Sequence, residues 1–254
     1  MIDDRRMRRL ESQVDALRTK VKDSSTRKTY DQVFDHAALL TIASLIGDGV
    51  ISTLDYPVDT GKEASVFHAT DAKGRAKAVK IYRIANATFR NIAVYIEGDP
   101  RFKRVKRAMK PTIFAWAQKE HKNLVRMDDA GVRVPRPERV LNNVLVMEYI
   151  GDETRPAPSL REISLDDPTA VYEDVVINMR GIRKAGLVHA DFSEYNLLWW
   201  DDRVVVIDVG QAVPMDHARA EEWFQRDLTN IARFFKRLRV DVTPAAVEQA
   251  ILRS

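Results

Sequence analysis

Apolar positions recur along this chain with two different periods, and each period predicts a different element. Stretches rich in β-branched residues, bounded by glycine, proline or aspartate, predict strands. These predicted strands lie near 50–54, 65–70, 76–82, 139–141 and 144–150. A polar turn from Asp71 to Gly74 joins two of them and predicts a hairpin.

Steps of three and four residues between apolar positions predict helices instead. The predicted helices lie near 8–21, at 31–47, at 112–130, between Asp167 and Gly186, across 223–238, and after Thr243. Asp167 supplies an N-cap and Pro168 a first-turn proline for the fourth of them. The second half of the chain is therefore expected to be mainly helical, with one hairpin at 197–207.

That hairpin lies beside the densest cluster of candidate chemistry. The loop His189-Ala-Asp191-Phe-Ser-Glu-Tyr-Asn196 leads into it, and its second strand ends at Asp208. Phosphoryl transfer from a magnesium nucleotide needs a carboxylate to orient the attacking hydroxyl, and an amide oxygen with a second carboxylate to hold metal. The spacing predicts Asp191 for the first role, and Asn196 and Asp208 as metal ligands. A turn cap or a core histidine would explain any one of these residues, but not the whole set.

A lysine on a strand behind a glycine-containing loop would complete such a site. Lys80, in Ala78-Val-Lys80, matches the strand lysine that contacts nucleotide phosphates. The predicted nucleotide-binding residues of the loop are Thr60, Gly61, Lys62, Glu63, Ala64, Ser65 and Val66. Lys62 is not a P-loop lysine, because Glu63 stands where that motif requires serine or threonine.

Glu120 falls in the apolar stripe of the helix predicted at 112–130. A buried carboxylate without a partner costs on the order of several kcal/mol, so we expect a cation opposite it. Lys80 is the expected partner, which makes Glu120 part of the nucleotide site. The alternative is that Glu120 reaches the helix edge and that the partner of Lys80 lies elsewhere.

Together these motifs resemble the RIO family of atypical serine/threonine protein kinases, and most of all its type-1 branch. The resemblance rests on Asp59 to Ala64, Leu187 to Leu197 and Ile207 to Gln211. It implies an α+β, two-lobed protein-kinase-like fold with an antiparallel N-lobe sheet plus helix. The implied C-lobe is mostly helical and reduced, and it lacks an activation loop and a peptide-binding lobe. Gly210 and Ser65 depart from the family, which usually has serine and asparagine there.

The resemblance also implies a domain organisation and an adenine site. A helical extension at 1–48 would pack on a kinase domain at 49–254, divided into an N-lobe at about 49–147, a hinge at 148–151 and a C-lobe at 152–254. Met147, Glu148 and Ile150 would contact the nucleotide, the last two through backbone groups. An ordinary buried strand would explain the same apolar run.

Composition agrees with a single compact enzyme. The chain has 254 residues, 45% of them hydrophobic, enough for a substantial core. It has no cysteine, which excludes disulfides, thiolate zinc sites and cysteine nucleophiles. A charged start and the lack of a long apolar run predict neither a signal peptide nor a membrane span, so we expect a cytoplasmic protein without a membrane partner.

A basic segment lies between Lys80 and Glu120. Six of the ten residues in 101–110 are lysine or arginine, and the net charge of the chain is +4. A solvated face and a contact surface for RNA phosphates or a phosphorylated partner both explain such a run. We expect the segment to be mobile in the free protein and separate from the catalytic machinery.

The predicted activity is Mg-ATP-dependent phosphorylation of serine or threonine, ATP hydrolysis, or both, with Mn²⁺ as an alternative metal. The resemblance implies a role in small ribosomal subunit maturation with precursor RNA and protein as partners, and no DNA. Ser193 replaces the lysine that protein kinases carry two residues after the catalytic aspartate, so Lys62 would meet the γ-phosphate instead. Two other classes stay open: an ATP-gated ribosome-binding module, and a small-molecule phosphotransferase of the aminoglycoside or choline kinase type.

Overall fold

The computed structural model describes residues 8, 12, 34–106 and 108–253. Except for its positions 8 and 12, the helix predicted near 8–21 lies outside this part of the chain. The chain separates into two compact units. The first holds the described residues up to Val94, with Arg104–His121 and Pro137–Tyr149, and the second holds Tyr95–Lys103, Lys122–Arg136 and the chain from Ile150 onward.

The first unit is built on a five-stranded antiparallel sheet. Its strands are β1 Thr53–Thr60, β2 Ala64–Thr70, β3 Ala76–Tyr82, β4 Pro137–Leu141 and β5 Val144–Glu148, in the order β1-β2-β3-β5-β4. The turn from β2 to β3 forms where the sequence predicts it. Asp71 accepts the backbone N–H groups of Lys73 and Arg75 at 2.9 Å, and Gly74 adopts a φ of 76°.

Helix α1, His36–Gly47, packs on one face of this sheet. Asp35 caps it by accepting the Ala38 N–H at 2.7 Å. The buried cluster that joins helix and sheet contains Phe34, Ala38, Ile42, Leu45, Phe67, Val79, Ile81, Val144 and Val146. Because side chains alternate along a strand, Ala78 and Lys80 of β3 point to the opposite face.

Two further helices, α2 Asn86–Ile96 and α3 Met109–Asp129, follow β3, with a 3₁₀ turn at Pro100–Phe102 between them. The second unit contains α4 Pro168–Lys184, α5 Ala220–Arg237 and α6 Pro244–Leu252. Its short strands are β6 Leu187–Val188, β7 Leu197–Trp200, β8 Arg203–Val206 and β9 Val213–Pro214. They pair as β6 with β9 and β7 with β8. No helix among the described residues is both long and apolar enough to span a bilayer.

Local capping explains where the predicted helices of the second unit begin. Asp167 accepts the N–H groups of Thr169 and Ala170 at 3.0 Å, and Pro168 occupies the first turn of α4. Thr243 caps α6 through the Ala246 N–H at 3.2 Å. Both helix starts were predicted from these residues and are confirmed.

Some predicted boundaries were wrong. The first strand was predicted at 50–54 but extends over Thr53–Thr60. Its outer half is largely exposed and has no apolar alternation, so the pattern of apolar residues did not indicate it. Helix α2 was missed altogether, and α3 begins at Met109 rather than at 112. The helix that was missed does have apolar residues at helical spacing, Phe89, Ile92, Ala93 and Ile96, and this signal was overlooked.

Candidate active site

Lys80 and Glu120 form a buried ion pair in the first unit. Lys80 Nζ donates to Glu120 Oε1 at 2.9 Å, and the two residues are 8% and 1% exposed. β3 presents the lysine and α3 the glutamate, as the apolar stripe of that helix predicted. The predicted pairing is therefore present. It fixes the ammonium group on the sheet face opposite α1.

The glycine-containing loop is a tight β-hairpin. Thr60 pairs with Ser65 across it, and the Gly61 N–H donates to the Ala64 carbonyl at 3.0 Å. A Cβ on Gly61 would lie 3.3 Å from that carbonyl oxygen, so a side chain there would strain the turn. The exposed Lys62 lies at the tip of the hairpin.

The residues of this hairpin do not all face the same way. Val66 pairs directly with Lys80, so its side chain shares the face that carries the ion pair. Ser65 points to the other face, where it is 1% exposed and accepts a hydrogen bond from Arg83 at 3.4 Å. The Ser65 hydroxyl therefore lies on the face away from Lys80, which leaves the backbone of this residue to contact a nucleotide.

The predicted adenine-binding residues occupy the end of β5 and the residues after it. Met147 pairs with Ala78 and Glu148 with Lys77, so both continue the sheet beside β3. Ile150 belongs to the second unit, where its carbonyl accepts the Ala157 N–H at 3.0 Å. The backbone group that Ile150 can offer to adenine is thus its N–H.

The second unit holds three of the predicted catalytic residues, Asp191, Asn196 and Asp208. Asn196 Nδ2 donates to the carbonyl of Asp191 at 2.8 Å and to its carboxylate at 3.2 Å. The Asn196 carbonyl accepts the Ile207 N–H at 3.0 Å, which fastens the loop to the residue before Asp208. Since its amide nitrogen is used on Asp191, Asn196 has its amide oxygen to offer to a metal.

Electrostatics favour a cation at this position. Burial raises the pKa of Asp191, and the nearby Asp208 carboxylate raises it further, while Asn196 and Arg226 act in the opposite direction. Two neighbouring carboxylates and an amide oxygen are hard oxygen ligands that suit Mg²⁺. Within the described residues no group of three or more His, Cys, Asp or Glu could hold a metal by itself. Such a donor set fits a Mg²⁺ ion that nucleotide phosphates and water help to coordinate.

Asp227 on α5 contacts the catalytic loop and was missed by sequence reasoning. Its carboxylate accepts the N–H groups of Ala190 and Phe192, each at 2.9 Å, and so holds the backbone on both sides of Asp191. Asp227 is 1% exposed, and burial raises its pKa to about 7. The signal was available, because this acid falls within the apolar stripe of α5 as Glu120 does in α3.

The neighbouring Arg226 also contacts the catalytic loop. Its guanidinium donates to the carbonyl of Ala190, which has a φ of 67°. This left-handed conformation is unfavourable for a residue with a side chain, and contacts from α5 hold it in place. The catalytic loop is thus shaped as much by α5 as by its own sequence.

The basic segment 101–110 is not uniform, and the interpretation of Arg101 as part of a contact surface was wrong. Arg101 binds the buried Asp99 through its backbone and its guanidinium, and Phe102 beside it is only 8% exposed. The described cations that remain exposed are Lys103, Arg104, Lys106 and Lys110. Arg107 lies outside the described residues.

The chain is also similar to known proteins. The family model of the RIO domain matches residues 65–248. The chain is 44% identical over 238 residues to the RIO-type serine/threonine-protein kinase Rio1 of Haloferax volcanii, covering 94% of this chain and 82% of that protein. It is 36% identical over 228 residues to the human serine/threonine-protein kinase RIO1, covering 88% of this chain but 40% of the human protein.

Among solved structures, the fold resembles the Rio2 kinase of Chaetomium thermophilum in its ADP/Mg²⁺-phosphoaspartate complex. The TM-score is 0.66 at 21% identity, covering 99% of this chain and 88% of that one. This likeness establishes the α+β kinase-like fold that the sequence predicted.

Proposed function

Since the chain belongs to the RIO domain family, we propose that it is a Mg-ATP-dependent phosphotransferase that phosphorylates serine or threonine. The observation that carries the proposal is the junction in the second unit, where Asn196 binds Asp191 beside Asp208. The matched relatives that span most of the chain are serine/threonine-protein kinases, which favours this class over a small-molecule phosphotransferase.

The proposed site residues have separate tasks. Asp191 orients the acceptor hydroxyl or a water molecule, and Asn196 and Asp208 hold Mg²⁺. Mg²⁺, when bound, neutralises charge on the phosphates during transfer. Lys80 contacts the phosphates and is held in place by Glu120.

The hairpin from Thr60 to Val66 covers the triphosphate, and its exposed Lys62 is the cation that meets the γ-phosphate. The backbone of Glu148 and Ile150 binds adenine, with Met147 beside it. Mn²⁺ offers similar oxygen coordination and would substitute for Mg²⁺.

The same residues can activate water, so ATP hydrolysis is a second outcome of one site. Asp191 is a single carboxylate that can orient either nucleophile. What decides the outcome is whether an acceptor hydroxyl occupies the position next to it.

We further propose that the partner is a small ribosomal subunit precursor in the cytoplasm. Support comes from the exposed cations Lys103, Arg104, Lys106 and Lys110, which suit RNA phosphates. Nucleotide-gated binding to that particle is the competing proposal, because it requires ATP binding but no acceptor.

The experiment follows the γ-phosphate of labelled ATP with and without small-subunit precursor particles, with Asp191→Asn as the inactive control. A kinase transfers label to serine or threonine of a protein, an ATPase releases it as inorganic phosphate, and a binding module does neither at a rate above the control. Turnover that survives in Asp191→Asn would contradict the proposed site.

A further inference from the structure

A buried polar network in the second unit holds the segment that follows Asp208. Asn123 of α3 is 0% exposed, and its Nδ2 donates to the Val209 carbonyl at 2.7 Å and to the Ala212 carbonyl at 3.0 Å. The Ala212 N–H also donates to the Val209 carbonyl at 3.2 Å, so these residues form a turn. One side-chain amide therefore ties both ends of the turn directly after Asp208.

Arg101 fixes the orientation of that amide. Its Nη1 donates to Asn123 Oδ1 at 2.7 Å, and its Nη2 lies 3.4 Å from the Ala212 carbonyl. A guanidinium can donate but cannot accept, so the amide oxygen must face Arg101 and the amide nitrogen must face the two carbonyls. The opposite orientation would place three carbonyl oxygens against one another.

Arg101 is in turn held by Asp99. The Asp99 carboxylate accepts the Arg101 backbone N–H at 3.0 Å and its Nη2 at 2.6 Å, and Asp99 is 2% exposed. The two charges neutralise each other, which a buried ion pair requires. The network runs from Asp99 through Arg101 and Asn123 to the turn at 209–212, and all of it lies within the second unit.

Asp208 benefits from such support because its backbone has an uncommon conformation. It has a φ of 55°, in the left-handed region that most residues with a side chain avoid and that aspartate enters more readily. A conformation of this kind persists where the surroundings fix it, and the residues after Asp208 are fixed by Asn123. The network therefore helps to hold the backbone conformation that places the proposed metal-binding carboxylate of Asp208.

We propose that Asn123 and Arg101 are positioning residues that set the geometry of Asp208 for Mg²⁺. The proposal rests on the proposed function, since it assigns Asp208 to metal. Outer contacts that orient a metal ligand typically change metal affinity or activity about 10- to 100-fold when removed. The network therefore controls the Mg²⁺-dependent part of nucleotide binding, while Lys80 serves the part that does not need metal.

Asn123→Asp tests the proposal with almost no change in shape. The new oxygen replaces the nitrogen that bonds Val209 and Ala212, while the other oxygen still accepts from Arg101. Asn178→Asp is the matched control, because Asn178 is also buried in this unit and bonds the Arg133 N–H and the Asp174 carbonyl, away from Asp208.

Calorimetry measures ADP affinity with Mg²⁺ and with EDTA in each variant. Mg²⁺ should increase the ADP affinity of Asn123→Asp about 10-fold less than it increases that of the wild type, while the ADP affinity in EDTA is unchanged. Hydrogen exchange of the ligand-free protein should show faster exchange of the Ala212 amide. Asn178→Asp should lose thermal stability without either effect.

The proposal is overturned if Mg²⁺ increases the ADP affinity of Asn123→Asp as much as that of the wild type. It is also overturned if Asn178→Asp loses as much of this Mg²⁺ effect as Asn123→Asp does. If Asn123→Asp does not fold, Arg101→Lys decides the matter, because lysine keeps the charge opposite Asp99 but lacks the planar fork whose two terminal nitrogens contact Asn123 and Ala212 separately. If Mg²⁺ does not increase the ADP affinity of the wild-type protein, the proposed function is refuted instead.

Discussion

Asp227 accepts the backbone N–H of Ala190 at 2.9 Å, and this bond holds the residue before Asp191 in its left-handed conformation. The other carboxylate oxygen accepts the N–H of Phe192. A carboxylate can accept both bonds, whereas an amide has one oxygen and presents N–H groups on its other side.

Asp227→Asn should therefore lower turnover while leaving nucleotide affinity nearly unchanged. In the variant, the amide NH₂ group would face a backbone N–H group that the carboxylate accepts in the wild type. The lost hydrogen bond costs about 1–3 kcal/mol, which corresponds to roughly a 10- to 100-fold loss in kcat. Asp174→Asn is the control, because Asp174 also accepts a backbone N–H, from Val204, but does not contact the catalytic loop. Equal losses in both variants would show that Asp227 acts only through stability.

Substitutions of Asp191 and Asp208 should affect different quantities, turnover for Asp191 and Mg-nucleotide binding for Asp208. Asp208→Ala should weaken binding of a Mg-nucleotide analogue, because it removes a metal ligand. Asp191→Ala should leave binding largely intact and reduce turnover by about 10²- to 10⁴-fold. Calorimetry with the analogue measures the first effect and steady-state kinetics the second. The assignment fails if the two variants bind the analogue equally poorly.

Lys80 and Glu120 should lose activity as a unit. Because each satisfies the buried charge of the other, single alanine variants and the double variant should have similar activities, with a coupling of about 1–3 kcal/mol. The Lys77–Glu138 ion pair on the same sheet provides the control, and its removal should leave turnover close to wild type. Additive losses for Lys80 and Glu120 would argue against a shared function.

The acidic limb of the pH profile should reflect Asp191. Burial raises the pKa of Asp191, and the Asp208 carboxylate raises it further. Asp191 therefore takes up a proton at a higher pH than an ordinary aspartate. Activity that requires the charged carboxylate is lost as the pH falls through this raised pKa. Asp208→Asn removes the like charge and should lower the pKa of Asp191. Carbon NMR of the side-chain carboxyl in the metal-free protein measures this directly. A pKa that stays the same in the variant would exclude the predicted repulsion.

The basic segment beyond Arg101 should bind RNA phosphates without affecting catalysis. Replacing Arg104, Lys106 and Arg107 with glutamine should weaken binding to small-subunit precursor RNA and flatten its salt dependence by about 0.7–0.9 log units per lost contact. The control replaces the exposed Lys122, Lys184 and Arg253. An unchanged salt slope together with lost ATP turnover would place the segment in the active site instead.

The sequence predicted the parts of the site that depend on local pattern. The hairpin that ends at Asp208 was readable from β-branched strands and a polar turn, and Glu120 from an acid in an apolar stripe. Asn123 was not found, because its partners are backbone carbonyls far away in the chain, whose positions only the fold supplies. For Asp227 the apolar stripe of α5 indicated a buried acid, but its backbone partners are likewise fixed only by the fold. Arg101 was misread for a different reason, since a cation in a basic run gives no sign that its guanidinium is held by the buried Asp99.

The anchoring of the catalytic loop by α5 has a consequence for protein synthesis. Asp227 lies downstream of every residue assigned to phosphoryl transfer, so a nascent chain that has just passed Asp208 already carries Asp191 and Asn196 without the carboxylate that anchors their loop. The loop gains its anchor only after α5 has left the ribosome and folded. A chain that ends between Asp208 and α5 would therefore have turnover at least as low as that expected of Asp227→Asn, and synthesis of α5 is needed for full activity.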